Sequence, residues 1–124
     1  MARVLVVDDE YQMRDLLCQA LERRGHTVDQ AADGRQALQH LAEHQPDLVI
    51  TDLVMPEMEG IETIQAFRRK CPALPIIAIS GGGRVDPDNY LSMAGQIGAN
   101  RTFAKPFRLE EILTAVRELT EKTT

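Results

Sequence analysis

Short apolar runs alternate with stretches of helical periodicity along this chain. Residues 4–7, 48–53 and 76–79 carry runs of the kind found in buried strands, and 27–31 and 102–104 are weaker candidates. Between them, Met13, Leu16, Leu17, Ala20 and Leu21 follow the i, i+3, i+4, i+7, i+8 spacing of one helix face, with Gly25 placed to stop it. Ala37, Leu38, Leu41 and Ala42 predict a second helix before Pro46, and Ile61, Ile64 and Phe67 a third before Pro72. Leu109, Ile112, Leu113 and Val116 predict the last. Residues 88–97 keep helical spacing at Tyr90, Met93, Ala94 and Ile97, although Gly95 and Gly98 dilute it. Strand and helix therefore alternate five times, which predicts an α/β fold: a five-stranded parallel sheet with helices on both faces.

In such sheets ligands gather beyond the carboxyl ends of the strands, where the strand order reverses. If the order is the common 2-1-3-4-5, strands one and three are neighbours at that reversal, and Asp8, Asp9 and Asp52 meet across it. Asp8 and Asp9 end the first apolar run, Asp52 follows Leu48, Val49, Ile50 and Thr51, Ser80 ends another run, and Lys105-Pro106 follows the last. A carboxylate at the end of a buried strand is costly unless something pairs with it. Three together repel, so at least one should hold a proton more tightly than a free aspartate, and a divalent cation removes that penalty. Mg2+ takes about six oxygens and gives up its waters reluctantly, which suits Asp8, Asp9 and Asp52 with waters and a phosphate oxygen. A carboxylate is also a nucleophile that can accept a phosphoryl group. The transferred group would be screened by the cation and Lys105 and oriented by the Ser80 hydroxyl and the Gly81 amide.

These residues resemble the response-regulator receiver domain of two-component signalling. Val6-Val7-Asp8-Asp9-Glu10 is similar to its acidic pair, and Asp52-Leu53-Val54-Met55-Pro56-Glu57-Met58-Glu59-Gly60 to its phosphorylation segment. Ser80 and Lys105-Pro106-Phe107 complete the set, and the resemblance runs from about Arg3 to the last helix. It implies the flavodoxin-like order 2-1-3-4-5 and a single receiver domain over residues 1–124. It makes Asp52 the acceptor of a phosphoryl group from a phosphohistidine on a histidine kinase or histidine phosphotransfer protein. Asp9 would be a direct Mg2+ ligand, Asp8 a ligand acting largely through water, and Val54 a donor of its backbone carbonyl. Ser80 would be the switch hydroxyl, Lys105 the cation that pairs with the phosphoryl group, and the Lys105-Pro106 bond cis. The output would be a change of affinity for a downstream protein target. The chain departs from the family in two places. Thr102 stands where an aromatic residue usually reports phosphorylation, and Phe103 cannot replace it because neighbouring strand residues face opposite sides. The loop from Gly81 to Pro87 is long and carries Gly81, Gly82 and Gly83.

Composition narrows the alternatives. At 124 residues there is room for one domain, so the expectation is a stand-alone receiver, acting by protein contact or within a phosphorelay. A formal net charge of -5 and no basic stretch interleaved with aromatics argue against direct nucleic-acid binding. Met1-Ala2-Arg3 precedes only four apolar residues, too few for a signal peptide, and no run is long enough to span a bilayer, so the expected location is cytoplasmic. Cys18 and Cys71 have no metal or disulfide spacing and are expected to be ordinary thiols. His40 and His44 are expected to be solvated, and Arg23-Arg24 and Arg68-Arg69-Lys70 to be polar helix ends. Two other functions fit parts of the pattern. A Mg2+-dependent small-molecule phosphohydrolase would use Asp52 as nucleophile but usually needs a second acid where Val54 stands. A receiver-like interaction module that is never phosphorylated would be expected to have lost acids or the lysine that this chain keeps.

Overall fold

The computed structural model describes residues 2–53, 59–80 and 98–121. The elements are β1 (Arg3–Val7), α1 (Tyr11–Arg23), β2 (Thr27–Ala31), α2 (Gly34–Glu43), β3 (Leu48–Asp52), α3 (Glu59–Lys70), β4 (Ile76–Ser80), β5 (Arg101–Ala104) and α4 (Leu109–Thr120). The strands form one sheet in the order β2-β1-β3-β4-β5, every neighbouring pair parallel. All five expected strands and four of the expected helices are present. The helix expected over 88–97, the glycine loop, Val54 and Gly81 lie outside the described residues.

The central strands explain their own burial. Every residue of β3 and β4 is buried, as a parallel strand covered on both faces requires. Alternate side chains then feed two separate cores. On one face Val4, Val6, Leu48, Ile50, Ile77 and Ile79 pack beneath α1 and α4. On the other, Leu5, Val7, Val49, Ile76 and Ala78 pack beneath α2 and α3, with Ile64 and Phe67 completely covered. Each such side chain contributes about 1.5–3 kcal/mol relative to exposure.

Local signals set the helix ends. Gly25 adopts φ +90°, donating to the Glu22 carbonyl while His26 donates to that of Leu21, so a left-handed glycine closes α1 as predicted. The Asp33 side chain accepts from the Gln36 amide, and the Gln36 side chain accepts from Ala32, satisfying two free donors at the start of α2. The predicted stripe of α1 shifts slightly. Cys18 is buried, whereas Leu16 is 49% exposed because it lies past one edge of the face centred on Leu17 and Leu21.

Arg68 departs most from expectation. It is a half-buried hub rather than a solvated helix end. Its guanidinium donates to the carbonyls of Gly98, Cys71, Pro72 and Leu74 and to the Asn100 side chain, at 2.5–3.3 Å. Asn100 in turn accepts from the Ile76 amide. The end of α3, the turn into β4 and the entry to β5 are thereby tied together. Gly98 has φ +126°, and a Cβ there would lie 2.6 Å from Arg68 Nε, so the hub also requires this glycine.

Candidate functional site

The carboxyl ends of β1 and β3 bring the acidic side chains together. These strands pair directly, Val7 opposite Thr51, so the residues that follow emerge side by side. Asp8, Asp9 and Asp52 each present a ligand atom within 4.8 Å of the others. Asp8 and Asp52 are buried, at 2% and 4% exposure, and Asp9 is exposed. Two dry carboxylates and one wet one suit a hard cation that keeps part of its water shell.

Lys105 reaches this group from the end of β5. Its Nζ lies 3.5 Å from Asp52 Oδ2 and 4.0 Å from Asp8 Oδ2. The lysine amide donates to the Ser80 carbonyl, which extends the β4–β5 ladder and sets the stem from which the side chain reaches across. The Lys105-Pro106 peptide is cis. Ser80, wholly buried at the end of β4, has an Oγ that makes no hydrogen bond among the described residues. A buried hydroxyl without a partner costs roughly 1–3 kcal/mol and is unusual enough to need an explanation.

The Asp8 carboxyl is pushed up to about 6. Like-charge repulsion, the expected cause, is not the main one: burial acts most strongly, the Glu10 amide bonded to the carboxylate opposes it, and Asp52 adds to it. The nearby Lys105 ammonium thus leaves the Asp8 carboxyl above its ordinary range. A divalent cation would supply the missing charge, and its oxygen-rich donor set matches what Mg2+ takes. Asp8 is also held by its backbone. Its amide donates to Ala31, its Oδ1 accepts from Glu10, and its carbonyl accepts from Arg14 Nη1 at 2.6 Å. Arg14 was not singled out by sequence reasoning. The signal was there, since a cation in a helix's first turn opposes the helix dipole and so suggests a specific partner.

The remaining predicted residues sort cleanly. Thr102 is exposed on β5, whereas Phe103 turns to the opposite face and packs against the core beneath α1 and α4, as strand alternation requires. His44 is exposed, but His40 is half-buried with a covered Nδ1 that has no partner among the described residues, so the expectation that it is solvated is corrected. The pair joins no metal-binding group among the described residues; the acidic trio is the one such group there. Both cysteines are free, and burial pushes the Cys18 thiol up to about 11, which makes it inert. No helix among the described residues is long and apolar enough to cross a membrane.

Comparisons with known proteins point to one family. A family model for the response regulator receiver domain matches residues 4–117. The chain is 37% identical over 123 residues to the response regulator MprA of Mycolicibacterium vanbaalenii, covering 98% of this chain and 52% of that protein. It is 34% identical to sporulation initiation phosphotransferase F of Bacillus subtilis, covering 94% of this chain and 91% of that one. The receiver domain of NtrX from Brucella abortus superposes with a TM-score of 0.87 at 29% identity, covering 97% and 99% of the two chains. The chain thus spans about half the length of the MprA relatives it matches and nearly all of the phosphotransferase.

Proposed function

The chain belongs to the family of response regulator receiver domains, signalling phosphoacceptors of two-component systems rather than classical enzymes, and from this we propose that Asp52 is the phosphoacceptor. The observation that carries the proposal is the pair of buried acids, Asp8 and Asp52, beside the Lys105 ammonium, whose Nζ lies 3.5 Å from Asp52. In the reaction, an Asp52 carboxylate oxygen attacks the phosphorus of a partner's phosphohistidine. The P–O bond forms as the P–N bond breaks, and the imidazole leaves with the electron pair and takes a proton from solvent. The Lys105 ammonium faces the incoming equatorial oxygens, and the Ser80 hydroxyl has a free proton to donate to one of them. Asp8 and Asp9, with Asp52, would hold Mg2+, which supplies charge neutralisation on the phosphoryl oxygens when bound. Val54 and Gly81 are proposed to add a carbonyl ligand and an amide donor.

We assign the whole of residues 1–124 to one receiver domain. It catalyses its own phosphorylation and dephosphorylation through these residues. Beside Lys105 lies a groove of about 410 Å3 lined by Met13, Leu16, Pro106, Phe107 and Leu109. The phosphate donor is a histidine kinase or phosphotransfer protein, the output is altered affinity for a protein target, and the setting is the cytoplasm. Thr102, small and exposed, makes an output that does not depend on an aromatic swing at that position.

Intact mass after incubation with Mg2+ and a small acyl phosphate tests the proposal. One phosphate adduct is expected on the wild type, and none after chelation or on Asp52→Asn. An adduct that survives either change would overturn the assignment.

A further inference from the structure

We propose that Arg14 is a positioning residue for the cation site, clamping the turn that carries Asp8 and Asp9. The inference rests on the reading of those acids as cation ligands. Arg14 Nη1 donates to the Asp8 main-chain carbonyl at 2.6 Å, and Nε donates to the Gln30 side chain near the end of β2 at 2.9 Å. The Tyr11 ring packs against the guanidinium, 5.5 Å from its carbon to the ring centroid. One side chain thus links the first turn of α1, the turn after β1 and the edge strand.

The Asp8 carbonyl and the Asp9 amide share one rigid plane. The Asp8 amide bonded to Ala31 fixes the entry to that residue, and Arg14 fixes the plane that leaves it. Asp9 is exposed, and its side chain makes no hydrogen bond or ion pair among the described residues, so its direction depends on that plane. Without the clamp, the ordering of the turn would fall on cation binding itself, and affinity would drop.

Charge predicts the opposite sign. Arg14 bonds a carbonyl and a neutral amide, while Lys105 is the cation paired with the carboxylates. If Arg14 acted only as a nearby positive charge, removing it would tighten binding of a divalent cation. The direction of the change therefore decides between positioning and field.

The test is titration of the protein with MgCl2, followed by backbone amide shifts, on the wild type, Arg14→Ala, Arg14→Lys, Gln30→Ala and Arg68→Ala. Outer residues that orient ligands typically change metal affinity by about 10- to 100-fold, and a clamp on the main chain belongs at the lower end. Arg14→Ala should weaken Mg2+ by about 10-fold. Arg14→Lys, which keeps the charge but not the fork, should recover only part of this, and Gln30→Ala should weaken binding about two-fold, in line with the loss of one anchor. Arg68→Ala, destabilising but remote, should leave the affinity unchanged. Unchanged or tighter binding by Arg14→Ala, or an equal loss in Arg68→Ala, would overturn the inference. If Arg14→Ala fails to fold, unchanged binding by Gln30→Ala does so. Absence of a saturable response in the wild type would instead overturn the cation reading itself and this inference with it.

Discussion

Two clusters of buried charge sit at different ends of the fold, and they are built on opposite principles. Around Arg68, one cation meets a ring of carbonyls and the Asn100 amide oxygen, so the desolvated guanidinium has many acceptors within hydrogen-bond range. Around Asp52, the two buried acids share the Lys105 ammonium, the exposed Asp9 stands beside them, and the Ser80 hydroxyl has no partner among the described residues. Both clusters cost desolvation; the first recovers it through the acceptors around the guanidinium, whereas in the second the Asp8 carboxyl stays well above its ordinary range. A cluster that is complete serves the fold, and one left short of positive charge and with a spare donor is suited to an anion and its metal. The two should therefore respond to mutation with opposite signs.

The largest expected effect is at the complete cluster. Arg68→Ala should destabilise the protein by about 3 kcal/mol, because several part-buried carbonyls lose their donor and three segments lose their tie, as read by denaturant unfolding. At the incomplete cluster the sign reverses. Asp8 titrates near 6 in the folded protein against an ordinary 3.8, so the native state holds the proton more tightly. Its contribution to stability is complete below about pH 4, falls as the pH rises through 6, and is flat beyond. In chelator, Asp8→Asn should thus match the wild type near pH 4 and exceed it by about 2 kcal/mol at pH 7. Saturating Mg2+ should shrink that difference, and a neutral variant no more stable than the wild type at pH 7 would break the comparison.

Smaller changes sharpen it. Gly98→Ala should lose roughly 1–2 kcal/mol, since its φ of +126° is strained for alanine and the new Cβ would displace Arg68. Ser80→Ala should gain about 1 kcal/mol by removing an unpaired buried hydroxyl, measured by the same unfolding curves. A loss of stability in Ser80→Ala would mean that the hydroxyl is already satisfied in solution.

Much of this was legible in the sequence because it is carried by period and position. Runs at 4–7, 48–53 and 76–79 mark central strands, and the carboxylates, hydroxyl and lysine that end the runs must then share one sheet edge. The strand order was adopted from the common doubly wound arrangement and from the resemblance, since periodicity does not encode which strands pair. What escaped was side-chain reach. Arg68 reads as one of three basic residues closing a helix, and only the return of Gly98 and Asn100 beside it makes it a hub. Arg14 likewise reads as a polar helix position until the Asp8 carbonyl is found beneath it. The weight of burial in raising Asp8 also escaped, because adjacency in sequence reveals like charge but not the loss of water.

The central claim is that the incomplete cluster accepts a phosphoryl group at Asp52. The most direct measurement is borohydride trapping of the phosphorylated protein, followed by peptide mass mapping, since reduction converts an acyl phosphate to an alcohol at the modified residue. The account predicts reduction at Asp52 alone, only when Mg2+ was present during phosphorylation. Reduction at Asp8 or Asp9, or at Asp52 without a divalent cation, would contradict it.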